Sequence, residues 1–260
     1  RVPFPGKIVP ASRFDSNGSK LLNVLPLPNT VVQGNQYNWS GQSINKQPRR
    51  DSVLRLDYNI APKTQFYVRL IQDYQASKGG YQLLAGLGGN GSWPQLPIAY
   101  EIRSAGAVAT LIHTFGSNKV NEFTFGINRA KQTVEPLDQS AIDKNSRAKL
   151  GLTIPQFYPQ ANPYGLIPNA TFGGVPNAGT LNVEQRFPFF GTNNIWNYSD
   201  NLSWISGKHS MKFGMFVERG TRNAARSTFF NGTFNFDLNA TNPLDTNYAY
   251  SNALMGVASA

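Results

Sequence analysis

The chain predicts an all-β fold: an antiparallel meander of hairpins forming part of a transmembrane β-barrel, with long irregular outer loops. Three observations carry this. Paired runs of alternating apolar and polar residues, each pair joined by a turn of a few residues, occur three times. Long stretches rich in Gly, Pro and Asn separate one pair from the next. Short turns at one end and long loops at the other are the asymmetry of membrane barrels. Finally, aromatic residues gather beside the tight turns (Tyr58, Phe66, Phe115, Trp204), where a membrane-interface girdle belongs.

Side chains alternate across a strand, so each hairpin sorts by parity. In the first, Val53 to Ile60, a turn at Ala61-Pro62-Lys63-Thr64 and Gln65 to Leu70 place Leu54, Leu56, Tyr58, Ile60, Phe66, Val68 and Leu70 on one face. In the second, Leu111 to Phe115 turns at Gly116 to Lys119 and returns with Phe123, Phe125 and Ile127 opposite Glu122, Thr124 and Asn128. The third presents Trp196, Tyr198, Leu202 and Trp204, a turn at Ser206 to His209, then Met211, Phe213, Met215 and Val217. Asp200 and Gln72 break the apolar face. Trp196 and Trp204 share that face eight residues apart. At ~3.3 Å per residue and a tilt of ~40° they span about 20 Å, close to the roughly 25 Å apolar band of such barrels. The residues expected to face lipid are Leu54, Leu56, Phe66, Val68, Phe123, Phe125, Trp204, Phe213 and Met215. A soluble antiparallel sandwich alternates too, with its apolar face interdigitated against a second sheet, and stays open as the alternative.

The long connections run from Gln75 to Arg103 and from Lys131 to Asn193. Pro155, Pro159, Pro163, Pro168 and Pro176 bar a continuous helix or central strand through the second. The Pro-rich opening, Arg1 to Gln36, holds a short helix at Ser16 to Leu25 that Pro26 ends.

Composition narrows function. Only 15% of residues are charged, against roughly 25% in ordinary soluble domains. There is no cysteine and no apolar run of the ~18 residues a spanning helix needs, so a membrane crossing would use strands. The chain opens at Arg1 without a signal peptide and reads as a segment of a longer protein. The net charge of +10 is scattered, without a recognition helix, and no nucleic-acid partner is expected. Its densest cluster, Arg219, Arg222 and Arg226, is either a solvated loop or a rim meeting lipid phosphates. Gly86 to Gly91 matches G-x-G-x-x-G, but Ser92-Trp93-Pro94 follows where a phosphate-cradling helix would start, so it reads as a loop. The two histidines, His113 and His209, have no carboxylate at ligand spacing. No metal, cofactor or catalytic residue is assigned, and the chain is expected not to be an enzyme.

The opening VPFPGKIVPASRFDSNGSKLLNVLPLPN, the hairpin LRLDYNIAPKTQFYVRL, the segment HTFGSNKVNEFTFGINRA and the run NYSDNLSWISGKHSMKFGMFVER together resemble the barrel of Oar-like TonB-dependent outer-membrane receptors, of acidobacterial and myxobacterial type. Tyr248 to Gly256 is similar to the short apolar element that follows an F-x-F hairpin there, here Phe234-Asn235-Phe236. The resemblance implies a Gram-negative outer-membrane transporter in which a barrel of 22 strands encloses a plug. Residues 1–260 would then be a partial barrel domain of about eight strands, lacking the plug, the N-terminal domain and the remaining strands. Its partners would be outer-membrane lipid, a nutrient ligand of unknown identity held by outer loops, and the TonB complex acting through the absent N-terminal region. The competing function is a soluble or surface-displayed β-rich binding module, adhesin-like or carbohydrate-binding.

Overall fold

The structure is a computed structural model, and it describes residues 4–31, 37–80, 93–183, 189–225 and 231–259. Short helix α1 (Ser16–Leu22) precedes strands β1 (Arg49–Ala61), β2 (Thr64–Gly79), β3 (Ile98–Phe115) and β4 (Lys119–Pro136). Helix α2 (Gln139–Lys144) and strand β5 (Asn169–Thr171) lie in the following long loop. Strands β6 (Phe189–Ser206), β7 (His209–Ala224) and β8 (Thr233–Asn235) and helix α3 (Ala249–Leu254) complete the order. Six long strands form one antiparallel sheet in the order β1-β2-β3-β4-β6-β7. The other two strands pair apart from it, so of the eight described strands only six build the wall.

The three hairpins are adjacent, and their turns share one edge of the sheet. Phe115, Lys119 and Trp204 stand in one cross-strand row there, next to Thr64 and His113. The β6–β7 loop is Gly207-Lys208, with Gly207 at φ +59° and Lys208 outside the positive-φ region, the combination of a type II′ rather than a type I′ turn. Gly116 at φ +69° performs the equivalent reversal between β3 and β4.

The strands run well past the alternating segments. Pairing continues to Gly79↔Ile98, Ile98↔Pro136 and Val134↔Phe189, so the long connections shrink to residues 80–97 and 137–188. On β2 the extension Ala76-Ser77-Lys78 carries small or polar residues on both faces and gives no parity signal, although the ladder continues.

The core does not lie on the alternating apolar face. Tyr100, Val134 and Phe189 occupy one cross-strand row on the opposite face, the face of the Thr110–Thr124 hydroxyl pair (3.0 Å). Together with Ile98 they bury against Leu96, Ala141, Leu166 and Val183 from the two long loops. A second core joins Leu21 of α1, Ile167, Ala170, Phe172, Leu181, Phe236 and Ala249 and Ala253 of α3. The loops thus fold down onto the polar face at its long-loop end.

Buried amides make the loop connections specific. Gln95 Nε2 donates to Asn145 Oδ1 (3.0 Å), Asn145 Nδ2 donates back to the Gln95 carbonyl (3.0 Å), and Gln95 Oε1 accepts from the Asn182 backbone N–H (2.7 Å). These bonds satisfy polar groups that would each cost ~1–3 kcal/mol if buried without a partner.

Helix α1 ends at Leu22, earlier than the expected Leu25, and the chain leaves it through the single turns Val24 N–H→Leu21 O and Leu25 N–H→Leu22 O. Asp15 caps the helix by accepting from Gly18 N–H at 2.6 Å. Gly18 is required by the neighbouring α3, since a Cβ there would stand 1.9 Å from the Ala253 carbonyl oxygen. The segment Phe234-Asn235-Phe236, read as part of a hairpin, is not one. Its strand β8 pairs in parallel with β5, sixty-four residues earlier in the register Ala170↔Phe234, because both phenylalanines are drawn into the second core. The Tyr248 to Gly256 element is helix α3, closed by Gly256 at φ +69° with Gly256 N–H on Ala253 O (3.0 Å) and Val257 N–H on Asn252 O (2.8 Å).

Candidate functional site: an apolar band and a loop cleft

Cross-strand partners share a face, so the register places the predicted lipid-facing residues directly. Tyr58, Phe66, Leu111, Phe123, Asp200 and Met215 form one row. The next row away from the turns is Leu56, Val68, Ala109, Phe125, Tyr198 and Val217, and the third is Leu54, Leu70, Ala107, Ile127, Trp196 and Arg219. Trp204 and Phe213 continue the same face toward the turns. All nine residues named from the sequence therefore lie on one continuous face. Among the described residues no second sheet packs on it, and Leu56, Phe213 and Met215 are 57%, 54% and 64% exposed.

The band has chemically distinct margins. At the turns, Lys119 Nζ lies 4.5 Å from the Trp204 ring centroid and His113 meets Phe115 edge-on at 4.3 Å. His113 Nδ1 is 2.8 Å from Thr64 Oγ1. Aromatic rings clustered beside a lysine suit a membrane–water interface. Of the two breaks expected from the sequence, Gln72 falls outside the band, in the row Ser52, Gln72, Ala105, Arg129, Asn194 and Thr221 beyond Trp196, while Arg219 beside Trp196 adds a charge at the band's margin. Asp200 stays within it and accepts a hydrogen bond from Asn121 Nδ2 at 2.7 Å on the same face.

The opposite face is polar and locally thin. Asn197 lies over Gly126 and Asn201 over Gly214, so closely that a Cβ would sit 2.3 and 2.6 Å from their amide oxygens. Glycine beneath a neighbouring side chain lets the strands bend toward that face, the device by which barrel walls curve.

The arginine rim separates. Arg219 pairs with Trp196 and belongs to the apolar face, whereas Arg222 pairs with Asn193, three residues on and therefore on the other face. An odd spacing within a single strand cannot bring two side chains together. The expectation of a loop failed because β7 continues to Ala224. Arg226 lies outside the described residues, as does the glycine run 86–91.

A second feature is not visible in local sequence. Leu25, Pro26, Trp39, Trp93, Val175 and Tyr248 are among the residues lining a cleft of about 1010 Å³ in the loop layer, with Tyr37 and Tyr250 also on its wall. Trp93 is oriented by its Nε1–H bond to the Thr180 carbonyl (2.9 Å). Tyr250 packs against Phe172 at 4.8 Å and Tyr248 at 5.9 Å, and burial pushes its phenol pKa up, with a smaller push from Tyr248. Tyr37 and Tyr248 stay about half exposed, 48% and 51%. The lining comes from five separate stretches of described chain, so no single motif marks it.

A comparison with known protein families matches residues 1–260 to the family described as outer membrane beta barrel domain. Searches of curated proteins and of solved structures returned no match. The six-stranded meander, the bare apolar band with its aromatic margin and a family match over the whole length agree: the chain belongs to the outer membrane beta barrel domain family, and its place is the outer membrane of a Gram-negative bacterium.

Proposed function

We propose that the chain is a wall segment of a TonB-dependent, Oar-like receptor, which captures a nutrient in its loop layer and takes it up with energy supplied from the inner membrane. The apolar band faces lipid, through the nine residues placed on it above. The edges of β1 and β7 pair with further strands to close the wall, and the polar face lines the lumen. The observation that carries the reading is the asymmetry of the sheet: its own loops pack on the long-loop end of the polar face, and among the described residues no core forms on the apolar face. A water-soluble domain buries the reverse. The loop cleft supports capture, since its size and half-exposed aromatic rings fit a ligand of several hundred daltons held by apolar stacking. The chain contributes binding and no catalysis.

The test is depletion of compounds from growth medium, followed by mass spectrometry. Cells lacking the full-length protein and cells lacking the TonB energising complex should fail to take up the same compound. Trp93→Ala in the full-length protein should raise the concentration for half-maximal uptake about tenfold, the loss expected for one stacking ring of ~1–1.5 kcal/mol. Uptake that persists without the energising complex would contradict the reading.

A further inference from the structure

Just beyond the apolar band, on the same face and at the long-loop end, stand two rows of the sheet. The first is Ser52, Gln72, Ala105, Arg129, Asn194 and Thr221, and the second is Arg50, Tyr74, Arg103, Lys131, Thr192 and Asn223. These twelve positions hold four cations and no carboxylate. Arg103 lies 5.0 Å from the Tyr74 ring centroid. Between these side chains is a recess of about 170 Å³ whose walls include Arg50, Tyr74, Arg103, Arg129 and Lys131 around the small residues Ser104 and Ala105.

Like charges gathered on neighbouring strands oppose one another unless an anion joins them. Inside the protein the opposing charge is limited. Glu101, one row further out, takes Arg103 at 3.2 Å and Lys78 at 3.1 Å. Asp73 also touches the recess, but its side chain belongs to the polar face, 3.6 Å from Arg49. Among the described residues Arg50, Arg129 and Lys131 form no ion pair, and all three are exposed.

We propose that this recess is a binding site for the phosphorylated headgroup of an outer-leaflet lipid, whose acyl chains run down the adjoining band. The proposal rests on the band facing lipid with the long loops outward. Height places the site: Lys131 stands twelve residues from Lys119 along β4, which at ~3.3 Å per residue and a tilt of ~40° is about 30 Å, the level of the far headgroups. Chemistry completes it. Guanidinium groups are forks that match phosphate oxygens, Lys131 adds a point charge, and Ala105 leaves space for the headgroup to approach the wall. A soluble anion would not need a site at this height beside a bare apolar surface.

The test is equilibrium binding to the full-length protein in lipid nanodiscs, followed by native mass spectrometry. The probes are a diphosphorylated glucosamine-based glycolipid, its dephosphorylated form with the same acyl chains, and inorganic phosphate. The phosphorylated lipid should bind, and R129Q/K131Q should weaken it about tenfold or more, at roughly 1 kcal/mol per cation near a membrane surface. K119Q, at the opposite margin, should leave affinity unchanged. Inorganic phosphate at millimolar excess should not displace the lipid.

Equal binding of both lipid forms, or no loss in R129Q/K131Q, would overturn the clamp while leaving the lipid-facing band intact. Displacement by phosphate at the lipid's own concentration would overturn the lipid as its ligand. Absence of both lipids from the band would instead remove the reading beneath it, a failure that oxygen and nickel accessibility of nitroxide labels from Phe213 to Val217 reads separately.

Discussion

Val217→Arg should cost roughly 2–4 kcal/mol of stability in lipid, and Phe216→Arg, one residue away, should cost about 1 kcal/mol or less. Val217 shares the middle row of the band with Phe125, Tyr198, Leu56 and Val68. Phe216 pairs with Ser199 on the polar face. In the bare sheet both residues are open, 49% and 64% exposed, so exposure to water alone would predict similar small effects. Hydrocarbon separates them because a guanidinium there loses its hydration. Depth provides the further control. Met211 lies on the same face in the turn-side row with Trp204, six residues nearer the interface, and Met211→Arg should be milder than Val217→Arg by a few kcal/mol. Phe123 is a poorer depth probe, because its direct partner is Asp200 and an arginine there would gain an ion pair. Denaturant titration of the full-length variants refolded into vesicles measures all three. Equal penalties at Met211 and Val217 would show that this face meets protein.

The second large effect belongs to the loop layer. Leu166→Ala should destabilise the loops by about 2–4 kcal/mol, the usual cost of truncating a fully packed leucine. Leu166 is 2% exposed and packs in the cluster that seats the long loops on Tyr100, Val134 and Phe189 of the sheet. The ladder of the six strands makes no use of this side chain. Limited proteolysis should therefore cut within residues 137–183 at lower denaturant, while β-sheet circular dichroism in vesicles stays unchanged. Simultaneous loss of the sheet signal would mean that loops and wall unfold as one unit.

The contrast between these two regions explains what the sequence could reveal. Each hairpin is local: Leu56 and Val68 meet across a turn only a few residues away, and a period of two is readable without a partner. The alternation therefore identified the apolar face on β1, β2, β4, β6 and β7. On β3 it faded through Ala105-Gly106-Ala107, where a run of small residues gives no contrast between faces. The cations there were legible only after register aligned Arg50, Arg103 and Lys131 from three strands. Arg219, Arg222 and Arg226 drew attention through proximity in sequence, and a strand sends odd spacings to opposite faces. The loop cores escaped for another reason. Their defining bonds join residues far apart, such as Gln95 to Asn145 and Trp93 to Thr180, and no local period encodes such pairs.

The lack of any cysteine in this chain allows single-cysteine nitroxide labels to be introduced without removing native thiols from it. Labels placed one at a time from Phe213 to Val217 of the full-length protein in vesicles would report collision with oxygen, which concentrates in hydrocarbon, and with a water-soluble nickel chelate. Oxygen accessibility should peak at Phe213, Met215 and Val217, and nickel accessibility at Gly214 and Phe216. The reversed phase, or labels at Phe213, Met215 and Val217 immobilised and closed to both reagents, would show the apolar face buried in protein and contradict a lipid-facing wall.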